Sequence, residues 1–92
     1  LSRVAAMDLA KHQIRVNVVS PGPTATEIVQ ERMQDPEQRA QEEARLKKIP
    51  LGRYASTVDI ANAVVFLSSS MGEFITGAIL PVDGGYTIGE TV

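Results

Sequence analysis

Cysteine is missing from all 92 residues, so the chain has no disulfide framework and no thiolate metal site. By default that reads as an intracellular, cytoplasmic protein. Basic charge is not in excess either: 9 Lys and Arg stand against 11 Asp and Glu, a net charge of −2. A nucleic-acid surface needs a basic patch or stripe, and this balance provides none. Long apolar runs are also lacking. The longest, residues 63–67, falls far short of the roughly 20 residues that a membrane-crossing helix requires. The basic-then-apolar opening of a secretory signal is absent, as are nucleophile-elbow, phosphate-loop and metal-ligand spacings. No metal and no membrane role is expected. A chain of this length allows one domain at most.

What is there is a succession of helical and strand patterns. Leu1, Val4, Ala5 and Leu9 recur at helical spacing with no start signal before them, which predicts a helix that begins upstream of Leu1. Asp8 and His12 share one arc of it; His12 pairs with Asp8 or faces solvent and is no candidate general base. Residues 14–20 are rich in β-branched side chains, apolar on nearly both faces, and ended by Pro21-Gly22-Pro23. That is the pattern of a buried parallel strand. Residues 30–48 carry 10 of the 20 Asp, Glu, Lys and Arg residues in a fifth of the length. Asp35-Pro36-Glu37-Gln38 reads as an N-cap followed by a helix-starting proline. Two short helices are expected, about 27–34 and 36–48, with thin apolar stripes (Ile28, Val29, Met33, Ala40, Ala44, Leu46). Such a pair covers a body without joining its core. Ser56-Thr57-Val58-Asp59 is a capping-box start for a helix reaching Ser68-Ser69-Ser70, with Gly72 as its stop. Residues 78–83 read as a last strand, parallel to the first through a right-handed crossover. Pro81 places it at a sheet edge.

Two parallel strands cannot make a sheet with helices on both faces, so the sequence predicts the C-terminal part of a larger α/β domain. Ligands in such sheets bind beyond the carboxyl ends of the strands. Two segments meet that condition, residues 20–26 and Asp83-Gly84-Gly85-Tyr86. Pro-Gly turns the first sharply and brings backbone toward a ligand, while Thr24 and Thr26 offer hydroxyls and free N–H groups. Equally, Pro-Gly-Pro is an ordinary turn and Thr26 an ordinary N-cap. Asp83-Gly84 is a hairpin signal, but the residues after it favour a terminal turn over a return strand. Asn17 is expected to bond a neighbouring segment, and Asp59 to cap a helix. The charge run is a solvated face or a mobile cover over a site.

In order along the chain, residues 14–22, Thr26, Pro50-Leu51-Gly52-Arg53, Ile60-Ala61, Phe74-Ile75-Thr76-Gly77 and Val82-Asp83-Gly84-Gly85 resemble the C-terminal third of the classical short-chain dehydrogenase/reductase family. The resemblance implies a doubly wound, Rossmann-type parallel sheet spanning residues 1–92 in the order helix, strand, lid helices, helix, edge strand. It implies an oxidoreductase moving a hydride between NAD or NADP and a small carbonyl or secondary-alcohol substrate. Pro21, Gly22, Pro23, Thr24 and Thr26 would then line the nicotinamide end. The backbone at Thr24 and the hydroxyl at Thr26 take the carboxamide, although the family more often has Val or Ile at the Thr24 position. Residues 27–48 match the substrate lid, with Ile28 and Met33 as its contacts. The family's catalytic Ser, Tyr and Lys are expected upstream of Leu1, so the 92-residue chain alone is expected to be inactive. The first helix matches the family's subunit-contact helix, which implies a homodimer or homotetramer. Alternatives are an inactive, fold-retaining binding or oligomerisation module, and a same-fold epimerase or dehydratase.

Overall fold

A computed structural model describes residues 1–91. Helix α1 spans Ser2–Ala10, and the Leu1 side chain makes no capping bond at its start. Ala6 is its buried residue and faces Gly77, where a Cβ would lie 3.6 Å from the Ala6 Cβ. The chain then turns through Gln13 in a left-handed conformation (φ 60°). His12 is exposed, and no bond to Asp8 is present among the described residues.

Strand β1, Val18–Pro21, pairs in parallel with β2, Ile79–Val82, in the register Val18 with Ile79 through Pro21 with Val82. Both strands are shorter than their sequence patterns, and the reason is side-chain competition for the ladder. The Val16 N–H donates to Thr76 Oγ1 (3.1 Å), Asn17 Nδ2 donates to the Ile75 carbonyl (2.9 Å), and the Ala78 N–H donates to Asn17 Oδ1 (3.0 Å). Asn17 thus bonds the neighbouring segment as expected, in place of backbone. Arg15 extends the clasp by donating from Nη1 to the carbonyls of Leu67 (2.6 Å) and Ile75 (3.2 Å).

Three helices follow β1 before the chain returns to β2. Helices α2 (Glu27–Arg32) and α3 (Pro36–Leu46) each stop short of the expected ends, their last residues forming turns. Asp35 caps α3, its Oδ1 accepting the Glu37 N–H at 3.1 Å, with Pro36 at the first turn. Helix α4, Thr57–Ser68, packs against both strands. It opens with the capping box read from the sequence: the Asp59 N–H donates to Ser56 Oγ (3.1 Å) and the Ser56 N–H to Asp59 Oδ2 (2.8 Å). A 3₁₀ turn, Ser70–Gly72, ends it.

The segment after β2 corrects one expectation. Neither a return strand nor a bare turn follows Asp83; the chain enters a short helix, α5, Tyr86–Thr91. The cause is Asp83, whose carboxylate accepts the N–H groups of Gly85 (2.9 Å) and Thr87 (3.2 Å) and so caps that helix. The fold is therefore α/β with a parallel sheet, and its own buried apolar set is small: Ala6, Ile49 and Leu67. The radius of gyration is 16.4 Å, against about 12 Å for a compact chain of this length. Val64, Val65 and Phe66 on α4 and Ile79 on β2 remain exposed.

Candidate functional site

The carboxyl ends of β1 and β2 come together because both strands run the same way. At that rim the backbone of Gly22 lies against Asp83, and a Cβ on Gly22 would sit 2.5 Å from the Asp83 Cβ and 2.7 Å from its Cα. The Gly22 N–H donates to the Val82 carbonyl at 3.0 Å, prolonging the ladder by one bond. Asp83 is held ionised below the usual carboxylate range, chiefly by the Thr87 hydroxyl and then by the Gly85 N–H.

Beyond Gly22 the loop is laid alongside Ala55 as a single parallel bridge centred on Thr24. The Ala55 N–H donates to the Pro23 carbonyl (2.9 Å) and the Ala25 N–H to the Ala55 carbonyl (2.8 Å). In that pattern the N–H and C=O of Thr24 point the opposite way, away from Ala55. No acceptor among the described residues takes the N–H of Thr24 or of Thr26. The Thr24 hydroxyl folds back and donates to the Gly22 carbonyl (2.9 Å), so what this residue presents outward is its backbone. Thr26 caps α2, its Oγ1 accepting the Val29 N–H at 3.4 Å, which leaves the hydroxyl hydrogen free to donate.

A cleft of about 510 Å³ opens between this loop and the α2–α3 pair, within the range of small-ligand sites. Gly22, Pro23, Thr24 and Thr26 line it from the loop, Ile28, Val29 and Arg32 from α2, and Gln41, Glu42 and Arg45 from α3. Of the residues singled out from the sequence, five therefore meet here. Pro21 stays in β1, and Met33 faces a separate depression with Pro36, Arg39 and Ala40.

The charged wall was not foreseen. Glu42 lies in the most charged stretch of the chain, yet it is 4% exposed. Arg32 Nε donates to its Oε1 (2.6 Å), and the Tyr54 hydroxyl donates to its Oε2 (2.5 Å). The Tyr54 hydrogen bond, followed by Arg32, holds the Glu42 carboxyl below its ordinary range. Burial, reinforced by Glu42, pushes the Tyr54 phenol up to about 12. Separations of ten and twelve residues leave no periodic signal by which this triad could be read from sequence. Among the described residues no group of three or more His, Cys, Asp or Glu is placed to hold a metal, and no helix is long and apolar enough to cross a membrane.

Comparison with known proteins extends the picture. A family model described as enoyl-(acyl carrier protein) reductase matches residues 1–87. The D-erythrulose reductase of Gallus gallus is 40% identical over 88 residues, covering 96% of this chain and 35% of that protein. An L-rhamnose 1-dehydrogenase (NAD(P)(+)) of Sphingomonas sp. (strain SKA58) is 46% identical over 85 residues, 92% of this chain and 32% of that protein. Among solved structures, a provisionally named 2-deoxy-D-gluconate 3-dehydrogenase of Agrobacterium tumefaciens, with bound NADP, superposes with a TM-score of 0.83 at 38% identity. The match covers 95% of this chain and 34% of that one. A short chain dehydrogenase family protein of Francisella tularensis gives 0.77 at 41% identity, over 95% and 38% of the two chains. The chain spans about a third of the length of the curated relatives it matches.

Proposed function

The chain belongs to the short-chain dehydrogenase/reductase family, and on that premise we propose that it forms the nicotinamide-side wall and substrate lid of an NAD(P)-dependent oxidoreductase. The substrate is a small carbonyl compound or secondary alcohol, as the names of the reductase and dehydrogenase relatives imply. One observation carries the reading: the Thr24 N–H and the Thr26 hydroxyl are both free to donate on the open side of the loop, at the mouth of a cleft.

That donor set fits a carboxamide, which presents a carbonyl oxygen able to accept both. Pro21, Gly22 and Pro23 bring the backbone to that position, and a bound nicotinamide would supply the hydride exchanged with the substrate's carbonyl carbon. The residues of this chain orient and enclose. Thr24 and Thr26 fix the plane of the ring, while α2 and α3, residues 27–48, cover the cleft and exclude water, with Ile28 toward the substrate. Met33 takes part only if the lid moves. The titratable cleft residues are Arg32, Glu42 and Arg45, and Glu42, with both carboxylate oxygens hydrogen-bonded, is held below the usual carboxylate range. On this reading the proton donor is supplied by the rest of the whole protein. Leu1 ahead of α1, and Val4 and Met7 on it, are exposed, which supports self-association as a homodimer or homotetramer through that face. A cytoplasmic setting accords with the lack of cysteine.

Substitution of Thr26 tests the assignment. In the whole protein, Thr26→Val should weaken NAD(P)H binding by about 2- to 10-fold, the worth of one neutral hydrogen bond, with the folded state retained. Thr26→Ser, which keeps the hydroxyl, should bind like the parent. Unchanged cofactor binding and turnover in Thr26→Val would refute the role.

A further inference from the structure

Glu42 is placed where three separately anchored segments meet. One carboxylate oxygen is bound by Arg32, on α2, and Arg32 Nη2 also donates to Gln41 Oε1 at 2.6 Å. The other oxygen is bound by Tyr54, and the same hydroxyl lies 3.1 Å from the Glu42 carbonyl. Tyr54 precedes Ala55, the residue bridged to Thr24 in the rim loop. A continuous chain of bonds thus runs from the rim loop through Ala55 and Tyr54 to Glu42 on α3, then to Arg32 on α2. Charged neighbours of the carboxylate are Arg32 and Arg45, and Arg45 lines the cleft without an ion pair among the described residues.

We propose that Glu42 is a positioning residue: by binding Arg32 with one oxygen and Tyr54 with the other, it sets how far the α2–α3 lid stands from the rim loop, and so determines substrate binding and not cofactor binding. This rests on reading residues 27–48 as the lid. The two functions separate because the rim loop is also held by β2, through the Val82 carbonyl, whereas Glu42 meets the segment ahead of α4 through the Tyr54 hydroxyl. A buried carboxylate with both oxygens engaged has discrete arrangements, bonded or released, in place of a continuum.

The test uses Tyr54→Phe in the whole protein, which deletes one oxygen atom while the ring and the Arg32 bond remain. Glu42→Gln is the second variant, should the first alter folding. Three readings are taken: amide hydrogen exchange by region, NADPH affinity, and steady-state kinetics with NADPH and D-erythrulose as the probe substrate. Loss of a hydrogen bond to a charged group should speed exchange within residues 27–48 by about 10- to 100-fold. Exchange in α4 and the strands should not change, NADPH affinity should stay within twofold, and KM for the probe should rise with kcat little altered. Unchanged exchange in residues 27–48 overturns the proposal. So does faster exchange spread over α4 and β2, which marks a general structural role. If the unmodified protein fails to bind NADPH, the functional reading falls, while the exchange pattern still decides whether Glu42 holds the two helices.

Discussion

Replacing Gly22 with alanine puts the approach of the rim loop to Asp83 to the test. Gly22 is not among the glycines with positive φ, so alanine meets no conformational penalty there. It meets Asp83 instead. Saturated carbons rest at about 3.5–4.0 Å, and the new methyl would lie 2.5 Å from the Asp83 Cβ and 2.7 Å from its Cα. An overlap of about 1 Å against backbone cannot be relieved by rotating a side chain. The strand ends must part, stretching the 3.0 Å bond from Gly22 to Val82. Overpacking costs about 1–3 kcal/mol and the weakened bond about 1 more, so a loss of about 2–4 kcal/mol is expected. Gly52 is the control. It has φ +79° and nothing within 4 Å of a Cβ, so Gly52→Ala should cost only the left-handed penalty of about 1–2 kcal/mol. Thermal unfolding of the whole protein reads the difference, at about 2–4 °C per kcal/mol for a domain of 150–250 residues. NADPH affinity should also fall in Gly22→Ala and hold in Gly52→Ala. A Gly22→Ala shift no larger than that of Gly52→Ala would refute the close approach and the rim built on it.

Two further outcomes follow from the charges and the cleft. Arg53, then the Ser56 N–H and hydroxyl, hold the Asp59 carboxyl down at about 2. A depressed carboxylate stabilises the fold above its unfolded value, about 3.9, and that contribution is lost as pH falls from there toward 2. Acid titration of unfolding should therefore show a loss in this window that Asp59→Asn removes; an identical profile in the variant would contradict it. The purified 92-residue chain should give no NADPH oxidation with D-erythrulose, because the proposed function takes the proton donor from the rest of the whole protein; detectable turnover would disprove that.

Legibility from sequence followed the range of the interactions. The Ser56–Asp59 box, the Asp35-Pro36 start and the Thr26 cap are written within four residues and can be read directly, because each satisfies its own helix end. The parallel pairing of β1 with β2 was readable from two apolar runs separated by a helix. Their lengths were not, since Asn17 and Thr76 take over backbone bonds through side chains 58–61 residues apart in sequence, partners that no local pattern names. Helix α5 escaped for a related reason: Asp83-Gly84 suits a turn or a cap, and the choice lies with the Thr87 hydroxyl and N–H. Glu42 escaped most fully. A glutamate amid charged neighbours reads as solvated, and only the meeting of Arg32 and Tyr54 around it reverses that.

The bridge between Thr24 and Ala55 has a thermodynamic meaning as well as a geometric one. Fixing a residue's backbone costs about 1–2 kcal/mol in lost conformational freedom. In residues 22–25 that loss is met when the chain folds, because Gly22, Pro23 and Ala25 are each tied by a backbone bond before any ligand arrives. A ligand that reaches the Thr24 amide finds it preorganised, and little of its binding energy goes into ordering the loop. Weakening the Ala55 bonds would thus lower affinity through entropy alone, with every atom that touches the ligand still in place.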